Sequence, residues 1–168
     1  MNANQPTLIV DSREQSPLTF RTLPSERGTL QTGDYSVRGC EDLFAIERKS
    51  LQDLVGSVTT ERGRFERELH RLRGFRFKRL LIVGAEAEIE SHRYRGNANP
   101  KAVLHSLRAF EVRYDCPVVW QPSPVLAANQ VESWAWWFSR EVLKAAEGIA
   151  THASGPARSE KSQMETNT

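Results

Sequence analysis

Residues 34–49 constrain this chain more than any other stretch. Two segments, 34–38 and 43–49, alternate apolar and polar residues about the turn Gly39-Cys40-Glu41-Asp42. That is the pattern of an antiparallel hairpin. A four-residue turn here pairs Tyr35 with Ile46 and Val37 with Phe44, all on one apolar face. The other face then carries Asp34 opposite Glu47 and Ser36 opposite Ala45. Slipping the register by one residue would scramble both faces, so the pairing is well specified.

The flanking sequence supplies the rest of a domain. Residues 7–11 read as a short apolar strand ending in an acid, and 12–32 as loop with some extended structure. Ser50 opens a helix with Leu51, Leu54, Val55 and Val58 at helical spacing. A second helix over 61–73 is dominated by charge, and 79–84 is a buried strand. After a polar, basic loop over 91–99, Asn99-Pro100 has the form of an N-cap followed by proline at the first helical position. The helix it starts carries Val103, Leu104, Leu107 and Phe110 on one face. Residues 117–121 read as another buried strand, and a strand–helix–strand unit of this kind implies a parallel crossover. A last long helix runs over 125–147, with Val131, Trp134, Ala135, Phe138 and Val142 on its core stripe. The expected architecture is an α/β domain over 1–150, with helices on both sides of a mixed sheet. A small, polar and charged tail over 151–168 cannot bury enough apolar surface to order itself and is expected to be disordered.

With 39% hydrophobic and 26% charged residues, the composition is that of a soluble protein with one full core. No apolar run approaches the roughly 20 residues of a membrane helix, so no membrane association is expected. The N-terminus lacks the basic and apolar regions of a signal peptide. Cys40 and Cys116 have no metal-ligand spacing. An intracellular setting is expected, cytoplasmic or nucleoid-associated, or nuclear in a eukaryote.

The chemistry follows from the hairpin. Directly opposed residues have Cβ atoms about 5 Å apart, and like charges at that distance destabilise a sheet. A divalent cation between Asp34 and Glu47 would turn that repulsion into binding. Magnesium suits such a site, because it needs few carboxylates and fills its other positions with water and phosphate oxygens. Lys49, two residues after Glu47, emerges on the same face and Arg48 on the other. Two acids and a lysine on one face suit phosphodiester hydrolysis. The cation polarises the phosphate and lowers the pKa of bound water, and the lysine orients or deprotonates that water or neutralises charge. Asp11 and Glu14 would carry a second ligand, hold a metal-bound water, or fix Arg13. Asp53 has two readings: with Ser50 it forms a capping box, and it also stands near enough in sequence to support the site. No His or Cys cluster suggests zinc, and no glycine-rich loop suggests a nucleotide.

At these residues the chain resembles the XPF/Mus81 (ERCC4) nuclease family, whose pattern is Gly-Asp, a variable gap, then Glu-Arg-Lys, three residues and Asp. Here it reads Gly33-Asp34 and Glu47-Arg48-Lys49-Ser50-Leu51-Gln52-Asp53, preceded by Asp11-Ser12-Arg13-Glu14 for the family's Asp-x-Arg-Glu. The resemblance implies a restriction-endonuclease-like three-layer α/β/α fold with a central mixed sheet. It also implies magnesium- or manganese-dependent cleavage of branched DNA, such as flaps and single-strand/double-strand junctions, in repair or recombination. It makes Asp34, Glu47 and the backbone carbonyl of Arg48 metal ligands and Lys49 the catalytic lysine, with Asp11, Arg13, Glu14 and Asp53 supporting. Two departures stand out. The strand that often ends in an acid in the family ends here in Val83-Gly84. The chain also leaves no room for a tandem helix-hairpin-helix domain, so a separate DNA-targeting partner is expected. Competing readings are an inactive DNA-binding or dimerisation module, and a nuclease with a restriction or mobile-element role.

Charge and aromatic placement extend the reading. Between Arg62 and Arg79 eight basic residues face two acids, an excess of six on a chain of net charge +2. Arg62, Arg64, Arg67 and Arg71 are therefore candidate phosphate contacts, against the alternative of a solvated helix stitched by Glu/Arg pairs. Arg93 and Arg95, in the loop with His92 and Tyr94, are weaker candidates. On the last helix Trp136 points off the core stripe and Trp137 lies at its edge. Exposed tryptophan favours a partner, and the resemblance implies a homodimer; the alternative is that Trp136 covers a loop of its own chain.

Overall fold

The computed structural model of this chain describes residues 5–153. Six strands and five helices follow in the order β1 (Leu8–Asp11), β2 (Ser25–Gly28), β3 (Tyr35–Val37), β4 (Phe44–Ser50), α1 (Leu51–Val58), α2 (Arg62–Leu72), β5 (Phe77–Val83), α3 (Glu86–Glu90), α4 (Pro100–Tyr114), β6 (Val118–Gln121) and α5 (Pro124–Ala153). The strands form one sheet ordered β2-β1-β3-β4-β5-β6. Only β3 runs against its neighbours, because the tight hairpin turn permits no other direction; the remaining pairs are parallel. Each parallel step from β4 to β5 and from β5 to β6 is made by a helical crossover.

The alternation of the hairpin decides what lies on each side of the sheet. Tyr35, Val37, Phe44 and Ile46 pack with Leu8, Val10 and Leu81 against Ala127, Val131, Ala135 and Phe138 of α5. On the opposite face Ala45, Leu80 and Ile82 meet α1, α2 and α4 through Leu54, Phe65, Leu69, Val103, Leu107 and Phe110. A buried core on each face gives three layers, α/β/α. The strong central strands β4 and β5 pair over seven residues, Phe44 with Phe77 through Ser50 with Val83. The sheet therefore delivers the end of β4 to the same edge of the molecule as the start of α1.

The local signals behave as their chemistry requires. Ser50 caps α1 by accepting from the Asp53 N–H at 3.1 Å, and the Asp53 carboxylate returns to the Ser50 N–H and hydroxyl. Asn99 caps α4 through its side-chain oxygen, with Pro100 at the first position. The extended structure expected within 12–32 is the edge strand β2, although Ser25-Glu26-Arg27-Gly28 has no apolar face. Two features depart from the sequence reading. β6 is half-buried rather than buried, because it pairs only with β5 and closes the other edge of the sheet. The last helix continues through Ala153, past the expected end at Glu147 and three residues into the expected tail; the rest of that tail, 154–168, lies outside the described residues.

Candidate active site

Gly33 and Asp34 show why those two residues stand together. Gly33 has φ +82, and a Cβ there would approach the Ile46 carbonyl oxygen to 3.0 Å. The left-handed turn brings the Asp34 N–H onto that same oxygen at 2.8 Å. The register expected at Tyr35 and Ile46 is present. Asp34 itself is not a rung of the ladder, so the direct Asp34–Glu47 rung expected from the alternation is replaced. Its Oδ2 instead accepts the Arg48 N–H at 2.7 Å, doing with a side chain what the backbone would otherwise do. The carboxylate still lies against β4. Burial first, then the neighbouring Glu47 charge, pushes Asp34 up to about 8.

Glu47 is buried, 7% exposed, and burial drives its pKa upward. Lys49 emerges beside it as the two-residue spacing requires, with Nζ 2.7 Å from Glu47 Oε1. Burial works against the lysine's charge, but the Glu47, Glu68 and Asp34 carboxylates together outweigh it and raise Lys49 above its ordinary value. The ammonium also lies 5.1 Å from the centre of the Phe65 ring and 3.7 Å from Glu68 Oε2, both on α2. Glu68 was invisible as a site residue in the sequence. Between arginines it reads as one of two acids balancing a basic helix, and only the packing of α2 over β4 turns it inward.

The upstream acids organise the arginines. Of the three roles open to Asp11 and Glu14, the geometry is that of fixing. Asp11 is buried, and its oxygens accept from the Arg13 backbone, the Arg13 guanidinium and the Leu30 N–H at 2.8–3.1 Å. Glu14 grips Arg48 through two hydrogen bonds of 3.0 and 3.1 Å. The Arg48 side chain thus points to the opposite face from Lys49, as its place in the strand requires. Burial would raise both acids, but the arginine and backbone donors hold Asp11 and Glu14 below their ordinary values. Asp53 completes the cap of α1 and is exposed.

The outlying candidates divide. Arg62 bonds Glu66 and Ser106 and stacks 4.6 Å from the Phe110 ring, so it ties α2 to α4. Arg64 pairs with Glu61 and Glu68. Arg67 and Arg71 are exposed and make no ion pair among the described residues. In the basic loop, Gln52 exchanges two hydrogen bonds with the Arg95 backbone, at 3.2 and 2.9 Å, and His92 stacks on Tyr94 at 4.4 Å. Arg95 is therefore held next to the first turn of α1, while the Arg93 N–H bonds the Glu88 carbonyl at 2.7 Å. Trp136 is not the exposed ring. It lies one helical turn beyond buried Glu132, on the same flank of α5, and packs half-buried against the core with Arg140 at 5.9 Å. Trp137, at 61% exposure, is the open one.

The donor set fits a small hard cation that keeps part of its water shell. Among the described residues no three His, Cys, Asp or Glu side chains form a ready-made cage. Two carboxylates whose ionisation is disfavoured are nevertheless present, Glu47 buried and Asp34 half-buried, with one lysine and one backbone N–H as their partners. A divalent cation would relieve that state, and magnesium needs only one or two protein carboxylates. Among the described residues no helix is long and apolar enough to cross a membrane.

The ERCC4 domain family matches residues 10–133. Two solved structures of XPF from Aeropyrum pernix share the fold. One has 24% identity and a TM-score of 0.62, over 77% of this chain and 60% of that chain. The other, a complex with DNA, has 22% identity and a TM-score of 0.63, over 82% of this chain and 66% of that chain. The chain thus spans less than two thirds of either. No curated protein matches it.

Proposed function

We propose that this chain, which belongs to the ERCC4-domain family, is a divalent-cation-dependent DNA endonuclease. Its mixed sheet between helical layers is the restriction-endonuclease-like fold. The observation that carries the activity is the meeting of Asp34, Glu47 and Lys49 at the end of β4, with Glu47 buried, Asp34 half-buried, and both carboxyl pKa values pushed upward.

Asp34, Glu47 and the Arg48 carbonyl would hold magnesium or manganese, which when bound neutralises phosphate charge and makes coordinated water acidic. Asp34 is aimed by its bond to the Arg48 N–H, and Arg48 is held by Glu14, so the strand carrying both ligands is fixed from two sides. Lys49 supplies a protonated ammonium to the phosphate and the attacking water. Asp11 holds Arg13, whose positive charge faces both Asp34 and Glu47. Arg67 and Arg71 on α2, which make no ion pair among the described residues, and Arg93 and Arg95 in the basic loop would provide phosphate contacts.

The substrates proposed are branched DNAs, flaps or single-strand/double-strand junctions, processed in repair or recombination by a homodimer. The family membership and the retained acid, acid and lysine set support this over an inactive binding module. Purified protein with magnesium or manganese should cut labelled flap or fork DNA faster than plain duplex. Asp34→Asn, Glu47→Gln and Lys49→Ala should each abolish cutting without unfolding the protein. Turnover near wild type in any of the three would remove the site, and equal cutting of duplex would remove the selectivity.

A further inference from the structure

Glu68 reaches Lys49 from a different element. Phe65 and Glu68 are three residues apart and share one face of α2, the face laid over the end of β4. Phe65 is buried beneath the ammonium and Glu68 lies beside it, its side chain 19% exposed. Lys49 therefore stands over an aromatic ring between two carboxylates, 2.7 Å from Glu47 and 3.7 Å from Glu68. The other oxygen of Glu68 is 3.5 Å from Arg64 Nε, on a mostly exposed side chain that cannot hold it firmly. Glu47 cannot serve the lysine at close range and a cation fully at the same time, because ammonium and cation repel each other. A second carboxylate within reach removes the conflict.

Taking the cation site above as given, we propose that Glu68 is the positioning residue of Lys49: the carboxylate to which the ammonium moves when a cation occupies Glu47. It keeps the lysine charged, ordered and beside the reacting phosphate, and it lowers the cost of displacing the lysine from Glu47. Glu68 touches neither the cation nor the DNA in this scheme.

Calorimetric titration of manganese into the folded, DNA-free protein separates this role from simple attraction of a cation by one more negative charge. Glu68→Gln is expected to weaken manganese severalfold, because Lys49 then competes undivided for Glu47. Lys49→Met alone should bind at least as tightly as wild type. In the Lys49→Met background, Glu68→Gln should have no further effect, and Glu68→Asp should restore part of the affinity when Lys49 is present. Cleavage should show the same origin: a lower kcat for Glu68→Gln at unchanged KM for DNA and unchanged melting temperature. The same loss of manganese affinity with and without Lys49 would show plain electrostatics and overturn the proposal, as would no loss in either. No manganese binding by the wild type would instead overturn the cation site itself and this inference with it.

Discussion

Asp34 raises a question of proton linkage. Its folded-state pKa, about 8, lies above the ordinary 3.8 because burial and Glu47 both penalise its charge. The folded protein therefore binds a proton that the unfolded chain releases, and the stability this gives is lost as pH rises from about 4 to about 8. One such proton is worth at most about 1.4 kcal/mol per pH unit. Asp11, Glu14 and Glu132 have the opposite sign: their depressed values add stability that is complete above the carboxylate range and lost only in acid. The metal-free protein should therefore melt progressively lower between pH 5 and pH 8, and Asp34→Asn should flatten that slope and melt higher at pH 8. Equal slopes in the two proteins would show that Asp34 ionises freely. Manganese should reverse the trend, since at one hundred times its dissociation constant a ligand adds about 2.7 kcal/mol. Glu41→Gln, on the exposed turn, should leave that response unchanged.

At the scale of elements, α5 packs on the sheet through its apolar face and also holds the segment before β2, by a contact 109–111 residues apart in sequence. Glu132 Oε1 accepts from the backbone N–H groups of Arg21, Thr22 and Leu23 at 2.7–2.9 Å, and the residue is 4% exposed. Glu132→Ala leaves three donors without their acceptor, and losing hydrogen bonds to a buried charge costs on the order of 3 kcal/mol. A chain of this size should then melt roughly 6–12 °C lower. Glu132→Gln, which keeps an acceptor, should lose less; a melting temperature unchanged in the alanine variant would mean that the loop is held elsewhere. Glu132 also marks the limit of sequence reading. The hairpin register, the capped starts of α1 and α4, and the Glu47–Lys49 face were all legible because each depends on neighbours within a few residues. Glu132 and Glu68 were not, and β2 only as extended structure without a place, because their roles come from tertiary partners. β2 has no apolar alternation to announce it and is a strand only because β1 offers an open edge. The Asp34–Glu47 relation was legible in outline but not in form. Alternation assumed an unbroken ladder, and the left-handed Gly33 ends it one residue early.

The charge of the whole molecule gives a test of the DNA-binding face. Arg67 and Arg71 are the unpaired cations proposed above on α2, whereas Arg62 and Arg64 are already engaged with protein acids. Changing Arg67 and Arg71 to Ala should weaken every DNA substrate by a similar factor and reduce the salt slope by about two, since each phosphate contact contributes about 0.9 to it. Changing Arg62 should instead lower stability through the lost contacts to Ser106 and Phe110. An unchanged salt slope in the Arg67/Arg71 variant would leave that face merely solvated.

Assembly of the whole molecule turns on α5. Along the second half of α5 apolar groups are turned outward: Trp137 is 61% exposed and Leu143 54%. Together with Trp136 and Val142 they line a groove of about 840 Å³ closed on its other side by Val37 and Cys40 of the hairpin. An exposed indole beside a groove lined partly by apolar and partly by charged side chains favours a covering partner. The proposed homodimer covers it with a second copy, burying about 800 Å² on each partner if the interface is of standard size. Trp137→Glu places a charge in the middle of that contact while touching little of its own chain, so it should give monomers that melt close to the wild type. Trp136→Glu is the contrasting variant: its ring packs on the core, and its loss should lower the melting temperature directly. Light scattering at tens of micromolar decides between them. A monomeric wild type would refute the dimer, and a Trp137→Glu variant that remains dimeric would move the interface off this groove.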